Sequence, residues 1–419
     1  MKDKPNLLKK VRSGFVLHGA WTDVRENGLQ STSRATRREI NEFAEEAQKN
    51  LKRLYGKLQK GTFQFSKALG VLKQRPGKAP RPIVIAPIED RIVQRCILDV
   101  LQSQEAVSSY VSAPTSFGGL KNRGVPDAIR NLVSIIKEHE MKYYIRSDIA
   151  DFFGCIPKDL VLSKIASLIG GQPDFISFVR DAVSVNVKNI KELGANISLF
   201  PSSTIGVAQG CCLSSLMGNV LLHDFDSSLN GRGVACIRYV DDFIILAKNE
   251  RTANAAFASA TKILSKFNLK AYEPSKSRKA KSGSTDGGID FLGCNIIPEL
   301  ISPSDEAKKT VYRKIHEQLT MSEVALTQAI SRIPRGYSLI DTLLRVSKIL
   351  QGWGDQYSFC NDGNAFLILQ KRISERINQY LDFYRKKCRS SDLDLNFRLL
   401  GVHLLSDRKL ELGPSYRHN

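Results

Sequence analysis

Two adjacent aspartates, Asp241 and Asp242, stand between two apolar β-like runs in the segment RYVDDFIILAK, residues 238–248. A hairpin turn is the simplest explanation, because Asp favours turns and a two-residue tip between strands is common. A third aspartate, Asp148, ends another β-like run, KYYIRSD. A pair of aspartates at a hairpin tip and a third at the end of a neighbouring strand would converge on one point above a sheet.

Three carboxylates at one point repel one another unless cations neutralise them. Oxygen ligands select the hard ions Mg²⁺ or Mn²⁺, and two such ions about 3.5 to 4 Å apart stabilise the attacking and leaving oxygens of an in-line phosphoryl displacement. We therefore predict nucleotidyl transfer at Asp148, Asp241 and Asp242, in which a 3′-hydroxyl attacks the α-phosphate of a nucleotide.

The elements around these aspartates predict an α+β fold. Residues 36–58 have the apolar spacing of an amphipathic helix, and residues 67–87 predict two strands around a basic Pro/Gly-rich tip. The elements expected after this hairpin are, in order, a helix over 89–104, the strand ending at Asp148, a helix opened by Pro157, a small-residue turn and helix over 206–229, the Asp241 hairpin, a helix over 252–267 and a Gly-led short strand in GGIDFLGCNI. This order favours an antiparallel sheet backed by helices. Beyond residue 305 the pattern predicts four helices with two basic clusters, YRKK and SDRK.

Composition points to a polyanionic partner. The 419 residues include 62 Lys and Arg against 42 Asp and Glu, a formal charge of +20. Such a surface gains affinity for nucleic acid by displacing condensed counterions, although a basic protein that is merely soluble has the same balance. The eight cysteines form no Cys-x-x-Cys pair, so zinc is not expected, and the sequence predicts neither a signal peptide nor a membrane span. We expect free thiols and a cytoplasmic protein with no membrane partner.

Several motifs, taken together and in order, resemble those of the reverse transcriptases, particularly the bacterial branch of group II intron, retron and defence-associated enzymes. YVDD (239–242) is similar to the catalytic tetrad of that family, and RSDIADFF (146–153) is similar to its first metal motif. The resemblance implies a right-hand polymerase with an N-terminal extension and start of the fingers at 1–70, fingers and palm at 71–300, and an α-helical thumb at 301–419. It implies two Mg²⁺ ions, with Mn²⁺ as a substitute, held by Asp148, Ile149, Asp241 and Asp242.

Other stretches extend the resemblance over roughly residues 75–357 and imply further roles. An aromatic ring at Phe153 would exclude a ribose 2′-hydroxyl and favour deoxynucleotides, whereas without the resemblance a core phenylalanine is the preferred interpretation. The implied nucleotide-binding residues are Lys78, Arg81, Phe153, Gln209, Gly210 and Lys276. The implied primer grip is Phe291, Leu292 and Gly293, and the implied template or RNA contacts are Arg91, Gly352 and Trp353, with a structural ion pair as the alternative for Arg91.

Departures from the family pattern indicate a divergent clade. Ala208 replaces the usual proline before Gln209, and Gly154 stands where group II intron enzymes commonly carry an aspartate. The leading prediction is an RNA-directed DNA polymerase that uses dNTPs and copies a dedicated structured noncoding RNA into DNA in bacterial antiphage defence. The alternatives are a template-independent DNA polymerase of the same fold, a catalytically inactive RNA-binding protein and an intron maturase fragment.

Overall fold

The computed structural model describes residues 6–31, 33–75, 78–231, 233–327, 336–389, 391, 393–402 and 405, with only the backbone described for Lys78. The chain divides into two compact units, Met1–Thr285 and Asp286–Asn419. Within the described ranges, no helix is both long enough and apolar enough to cross a membrane. The functional division at residues 70 and 300 stays a prediction.

The first unit begins with four helices. Their bounds are α1 Leu7–Val11, α2 Gly14–Leu29, α3 Arg34–Glu45 and α4 Ala47–Gln59. The apolar spacing predicted the buried side chains here, such as Ile40 and Leu54, which are both fully buried. The prediction of one continuous helix over 36–58 is wrong, because Glu46 leaves the helical conformation at φ −121° and ψ 36° and separates α3 from α4.

The basic hairpin predicted for residues 67–87 is confirmed. Strands β1 (Leu69–Arg75) and β2 (Lys78–Ile85) pair antiparallel from Leu69 opposite Ile85 to Arg75 opposite Lys78. The predicted helix that follows is α5 (Ile88–Gln102), and its buried face includes Ile92 and Ile97. Two shorter elements and a helix complete this region: α6 Glu105–Val111, β3 Ser116–Phe117 and α7 Val125–Glu138.

A five-stranded sheet is the centre of the first unit. Its remaining strands are β4 Tyr143–Asp148, β5 Val234–Tyr239, β6 Asp242–Ala247 and β7 Lys281–Ser284. The strand order is β3-β5-β6-β4-β7, in which β3 runs parallel to β5 and all other neighbours are antiparallel. The predicted end of a strand at Asp148 and the predicted hairpin of β5 and β6 are both confirmed.

Helices pack against the sheet, as predicted. Their bounds are α8 Phe152–Cys155, α9 Lys158–Leu168, α10 Pro173–Val183, α11 Ile190–Leu193, α12 Leu213–Leu221, α13 His223–Ser228 and α14 Glu250–Ser265, with a 3₁₀ helix at Gly194–Leu199. The single helix expected within 206–229 is two helices, because Leu222 ends α12 and precedes α13. The shared core joins α5, α9 and α12 to the sheet and includes Ile165, Leu216, Phe225 and Phe243.

The second unit holds a three-stranded antiparallel sheet and a group of helices. The strands are β8 Ile289–Phe291, β9 Cys294–Ile297 and β10 Leu300–Pro303, so the expected single strand in GGIDFLGCNI is a hairpin. The described helices are the four predicted ones, α15 Asp305–Thr327, α16 Leu339–Tyr357, α17 Gly363–Arg389 and α18 Leu393–Leu400. The cluster YRKK lies in α17, whereas SDRK (406–409) lies outside the described residues.

Candidate active site

The hairpin of β5 and β6 presents the paired aspartates. Tyr239 pairs with Asp242 across the hairpin, so the tip consists of Val240 and Asp241. The prediction that both aspartates lie at the tip is wrong for Asp242, which is the first residue of β6. Val240 has a φ of +60°. This is the left-handed conformation that two-residue hairpin turns require at their first central position, where glycine is preferred.

The neighbouring strand β4 brings the third aspartate to the same place. Asp148 lies directly opposite Asp242 in the antiparallel pairing of β4 with β6. The N–H of Ile149 donates to the carbonyl of Asp241 over 3.0 Å, so the hairpin tip is fixed to the end of β4. Because the side chain of Ile149 is apolar and buried, only its backbone could take part in metal binding.

All three aspartates line one open cavity of about 850 Å³. The cavity also contains several of the predicted nucleotide-binding residues and residues that the sequence did not single out. Its wall includes Arg75, Arg81, Asp148, Ile149, Asp151, Phe153, Ser198, Leu199, Phe200, Ser202, Ile205, Gln209, Asp241, Asp242, Tyr272 and Lys279. The structure therefore brings the predicted carboxylate group together on one surface.

In the absence of a cation, burial and the neighbouring negative charges disfavour the ionised forms of Asp241 and Asp242 and raise the pKa of each. Desolvation and then the charge of Asp148 raise the pKa of Asp241 to about 6. Desolvation and then the charges of Asp241 and Asp148 raise the pKa of Asp242 to about 7. Arg81 opposes the rise at Asp241, and Arg146 and Lys279 oppose the rise at Asp242. A divalent cation between them would remove most of this cost.

The ammonium of Lys279 neutralises part of the cluster. Its Nζ lies 2.9 Å from Asp148 Oδ2 and 3.1 Å from the hydroxyl of Tyr272, and it also lies 4.3 Å from the centre of the Tyr272 ring. The other carboxylate oxygen, Asp148 Oδ1, is buried and has no hydrogen-bond partner among the described residues.

The donor set fits Mg²⁺ or Mn²⁺ by its chemistry. Three carboxylates face one cavity, and Asp148 Oδ1 is an unsatisfied oxygen that a hard cation would accept as a ligand. In the described part of the chain, no group of three or more His, Cys, Asp or Glu side chains is arranged so that it could hold a metal ion as it stands. In this conformation the positive charge next to Asp148 is that of Lys279.

Arg81, Phe153 and Gln209 lie at the cavity, where the resemblance placed them. The ring of Phe153 is half-buried and lies 5.4 Å from that of Phe152, so it packs on the core while one side faces the cavity. The backbone carbonyl of Gln209 accepts a hydrogen bond of 3.0 Å from Val84 of the β1–β2 hairpin. The side chain of Lys78 lies outside the described residues. The nucleotide-binding roles of these residues stay predictions.

Two glycines near the cavity are explained by close approaches. Gly210 has a φ of +117°, and a Cβ there would lie 2.7 Å from the carbonyl oxygen of Val84. A side chain at position 210 would therefore clash with the backbone of strand β2. At Gly154, a Cβ would lie 2.3 Å from Asp151 Oδ2. The Asp151 carboxylate therefore occupies the space that a side chain at position 154 would need.

Two predicted residues lie away from the cavity. Lys276 is exposed and pairs with Glu273 at 2.7 Å, while Lys279, three residues later, reaches Asp148. Arg91 lies in α5 and is 3.8 Å from Glu39, which is the structural pair that was its alternative interpretation. Desolvation lowers the pKa of Arg91, against the opposing effect of Glu39.

The remaining predicted residues belong to the second unit. Leu292 and Gly293 form the tip between β8 and β9 with positive φ values of +48° and +78°, and Phe291 is buried beneath them. Trp353, next to Gly352 in α16, packs on Tyr357 with ring centres 4.9 Å apart. Their assignment to primer and template stays a prediction.

The sequence reasoning missed Lys279, Tyr272 and the apolar wall around Leu199 and Ile205. Lys279 belongs to the basic run KSRKAK (276–281), in which spacing alone does not distinguish one cation from another. Leu199 and Ile205 are 43% and 52% exposed, and they line the cavity although they lie in a segment without a motif. Only the path of the chain brings them to the aspartates.

The fold and the site together define a class: a mixed α+β protein whose largely antiparallel sheet presents three aspartates to an open cavity. The chain belongs to the reverse transcriptase family. Residues 71–296, more than half of the 419, match the family described as "Reverse transcriptase (RNA-dependent DNA polymerase)". The predicted family and the predicted fold class are therefore confirmed.

Two curated relatives match parts of the chain. Protein YkfC of Escherichia coli K12 is 24% identical over 253 residues, which cover 52% of this chain and 63% of YkfC. An uncharacterized 91 kDa protein in a cob intron of Schizosaccharomyces pombe is 26% identical over 164 residues, or 39% of this chain and 19% of that protein. The chain thus spans less than two thirds of the length of either relative.

Solved structures show partial likeness. A partial Cas6-RT-Cas1–Cas2 complex is 22% identical, with 63% of this chain and 43% of that chain covered and a TM-score of 0.35. Telomerase from Candida albicans, in complex with a fragment of telomeric RNA, is 14% identical, with 81% of this chain and 61% of that chain covered and a TM-score of 0.43.

Proposed function

We propose that this protein is an RNA-directed DNA polymerase that adds deoxynucleotides to a primer by two-metal nucleotidyl transfer. The observation that carries the proposal is the meeting of Asp148, Asp241 and Asp242 in one cavity, with pKa values raised to about 6 for Asp241 and about 7 for Asp242. A protein has little use for such a costly cluster unless a cation compensates it, and strongly shifted carboxylates in a cavity are typical of catalytic sites.

The three aspartates would hold two Mg²⁺ ions, with the Ile149 carbonyl as a further oxygen ligand. Bound there, the ions would make the primer hydroxyl a better nucleophile and neutralise charge on the phosphates. Arg81 lies on β2 at the same cavity, where its guanidinium would grip the triphosphate. Once Asp148 binds a metal ion, the Lys279 ammonium would leave the Asp148 carboxylate and bind a phosphate oxygen of the nucleotide. The ammonium is free to make this change because it is 43% exposed.

Phe153 supports the choice of deoxynucleotides. Its ring faces the cavity from α8, five residues after Asp148, and Phe152 packs behind it with ring centres 5.4 Å apart. A ring supported in this way would not move aside for a ribose 2′-hydroxyl. We therefore propose that the cavity rejects ribonucleotides by steric exclusion at this side chain.

We further propose that the template is a dedicated structured RNA and that the reaction serves antiphage defence. The formal charge of +20 supports an extended nucleic-acid partner, because each neutralised phosphate releases counterions. Binding through phosphates predicts affinity that falls steeply with salt. Sequencing the RNA and DNA that co-purify with the protein, with and without phage challenge, tests both parts of this proposal.

Primer extension on a defined RNA template tests the polymerase assignment. With dNTPs and Mg²⁺, the wild-type protein should extend the primer, and the variant Asp241→Asn with Asp242→Asn should give no product. Asp159→Asn is a suitable control, because Asp159 is an exposed aspartate of the same unit that pairs with Arg180 outside the cavity. The control should retain the wild-type rate.

Sequencing the product separates the remaining possibilities. A complement of the RNA template supports the proposal, whereas random or homopolymeric DNA would show template-independent synthesis. An unchanged rate in the double asparagine variant would overturn the assignment of the aspartates. RNA binding without incorporation under any primer condition would instead indicate an inactive RNA-binding protein.

A further inference from the structure

A buried arginine lies next to the tip of the β5–β6 hairpin. The side chain of Arg238, one residue before Tyr239, is fully buried and forms a bidentate pair with Asp226 at 2.7 and 2.6 Å. It also donates to Ser116 Oγ at 2.7 Å and to Asn219 Oδ1 at 3.0 Å. None of these groups reaches the cavity, so the arginine cannot contact a nucleotide.

One further bond of Arg238 is to the hairpin tip itself. The guanidinium donates to the carbonyl oxygen of Val240 over 2.8 Å. That carbonyl belongs to the peptide group that joins Val240 to Asp241, and its orientation therefore influences where the Asp241 side chain points. The bond connects the buried ion pair to the backbone that carries the proposed metal ligands.

The tip needs the hydrogen bond from Arg238 because its backbone conformation is unfavourable for valine. Val240 is β-branched and has a φ of +60°, a region that residues other than glycine seldom adopt and that is most unfavourable for branched side chains. Its N–H donates to the carbonyl of Phe117 over 3.1 Å, so the peptide groups on both sides of Val240 are held. The intrinsic backbone preferences of valine would not hold the turn in this conformation.

The same network holds the turn that packs on the tip. Asn219, which accepts from Arg238, donates to the carbonyl of Gly118 over 3.2 Å. Gly118 has a φ of +77°, and a Cβ there would lie 2.6 Å from Val240 Cγ2, so only a glycine lets this turn lie against the valine. The tip is thus enclosed between the Gly118 turn and the guanidinium.

We propose that Arg238 is a positioning residue that holds Val240 in its left-handed conformation and thereby aims Asp241 and Asp242 at the metal ions. The inference rests on the proposed function, since it assigns a role within that site. Arg238 acts through the Val240 carbonyl, with Asp226 and Asn219 orienting the guanidinium. The competing explanation is a buried ion pair that stabilises the core and has no influence on the aspartates.

Manganese binding to Arg238→Lys tests the proposal without relying on activity. Lysine keeps the charge but cannot donate to Asp226, Ser116, Asn219 and Val240 together, because it lacks the planar fork of the guanidinium. We expect Mn²⁺ affinity, measured by electron paramagnetic resonance on the folded protein, to fall by about tenfold or more, as outer-shell substitutions at metal sites do. We expect kcat to fall as well, with a smaller change in KM for dNTPs.

A second substitution separates positioning from stability. Val240→Gly removes the Cβ that disfavours a positive φ, so in the Arg238→Lys background it should restore part of the Mn²⁺ affinity. Arg376→Lys in the second unit is the matched control, because Arg376 is 5% exposed and pairs with Glu323 at 3.0 and 2.9 Å. It should lower stability and leave Mn²⁺ affinity unchanged.

The outcomes decide between the two explanations. Wild-type Mn²⁺ affinity in folded Arg238→Lys, or a loss that Val240→Gly does not relieve, would overturn the proposal. If Arg238→Lys does not fold, Asn219→Ala replaces it, since it removes one Arg238 bond and the Gly118 bond, and the same affinity loss and rescue are required. If wild-type protein binds Mn²⁺ through its aspartates but makes no DNA, the polymerase proposal fails while the positioning role of Arg238 stands.

Discussion

Replacing Lys279 by methionine should tighten metal binding at the candidate active site. In the structure the Lys279 ammonium lies 2.9 Å from Asp148 Oδ2, so a divalent ion that binds this oxygen must displace the ammonium or tolerate its charge nearby. Both cases lower metal affinity in the wild-type protein. Methionine is similar to lysine in length and flexibility, and it removes only the charge and the hydrogen bonds.

The size of the effect follows from the exposure of the pair. Lys279 is 43% exposed and Asp148 is 19% exposed, so water screens the interaction only in part. Exposed ion pairs contribute about 0.2–1 kcal/mol, and the mostly buried carboxylate places this pair near the upper end, at about 1 kcal/mol. A difference of about 1 kcal/mol corresponds to about a fivefold lower Kd for the ion.

Calorimetric titration with Mg²⁺ and paramagnetic titration with Mn²⁺, both at pH 8, measure this difference. Lys276→Met is the matched control from the same loop, because Lys276 pairs with Glu273 and does not line the cavity. The control should bind both ions with wild-type affinity. Metal binding that is unchanged or weaker in Lys279→Met, with a normal control, would show that the ammonium does not compete with the ions and would refute the reasoning.

Three further predictions follow from the same cavity. The pKa values of Asp241 and Asp242 are raised to about 6 and about 7, so protons compete with the metal ion for these carboxylates at low pH. Mn²⁺ titrations from pH 5 to 8 should therefore show an affinity that rises by about tenfold per pH unit for each proton released. An Mn²⁺ affinity that does not change with pH would contradict this prediction. The raised pKa values also mean that Asp241 and Asp242 favour the metal-free folded state most below their ordinary pKa of about 4, and that this contribution is lost as the pH rises through their folded-state values of about 6 and about 7. Asp241→Asn with Asp242→Asn should therefore stabilise the protein at pH 8 in EDTA by on the order of 1–3 kcal/mol in urea denaturation, and a destabilised variant would count against repulsion between the aspartates. Phe153→Val should increase ribonucleotide incorporation relative to deoxynucleotide incorporation, measured by competition in primer extension, with Phe178→Val, a ring outside the cavity, as the control.

The sequence was sufficient for the elements whose signals are local. The apolar runs on both sides of Asp241 predicted the β5–β6 hairpin, and the run that ends at Asp148 predicted the end of β4. Strand β6 is buried, and its apolar residues from Phe243 to Ala247 follow one another without interruption, so the pattern alone was strong. The meeting of the three aspartates then followed from the order of the motifs.

Other features have no local signal. Glu46 separates α3 from α4 although neither a glycine nor a proline stands there, so helix propensity does not mark the break. The positive φ of Val240 contradicts local preference and depends on Arg238 and Phe117, which contribute one hydrogen bond each. Lys279, and not Lys276, pairs with Asp148 because of the path of the loop after Tyr272. The spacing of the lysines in the sequence does not reveal that path.

The site combines two costs that the rest of the sheet must offset. Desolvated carboxylates at positions 241 and 242 and a left-handed β-branched residue at 240 each disfavour the folded hairpin, the latter by about 1–3 kcal/mol. Strand β6 offsets them directly behind the tip: Phe243, Ile244 and Ile245 are all fully buried. Burying each such side chain contributes about 1.5–3 kcal/mol, so three of them exceed the strain of the turn. Because these residues alternate between the two faces of the sheet, a one-residue shift in register would move each side chain to the opposite face and away from the side chains it now packs against. Packing on both faces of β6 therefore keeps the aspartates in place even though they repel one another.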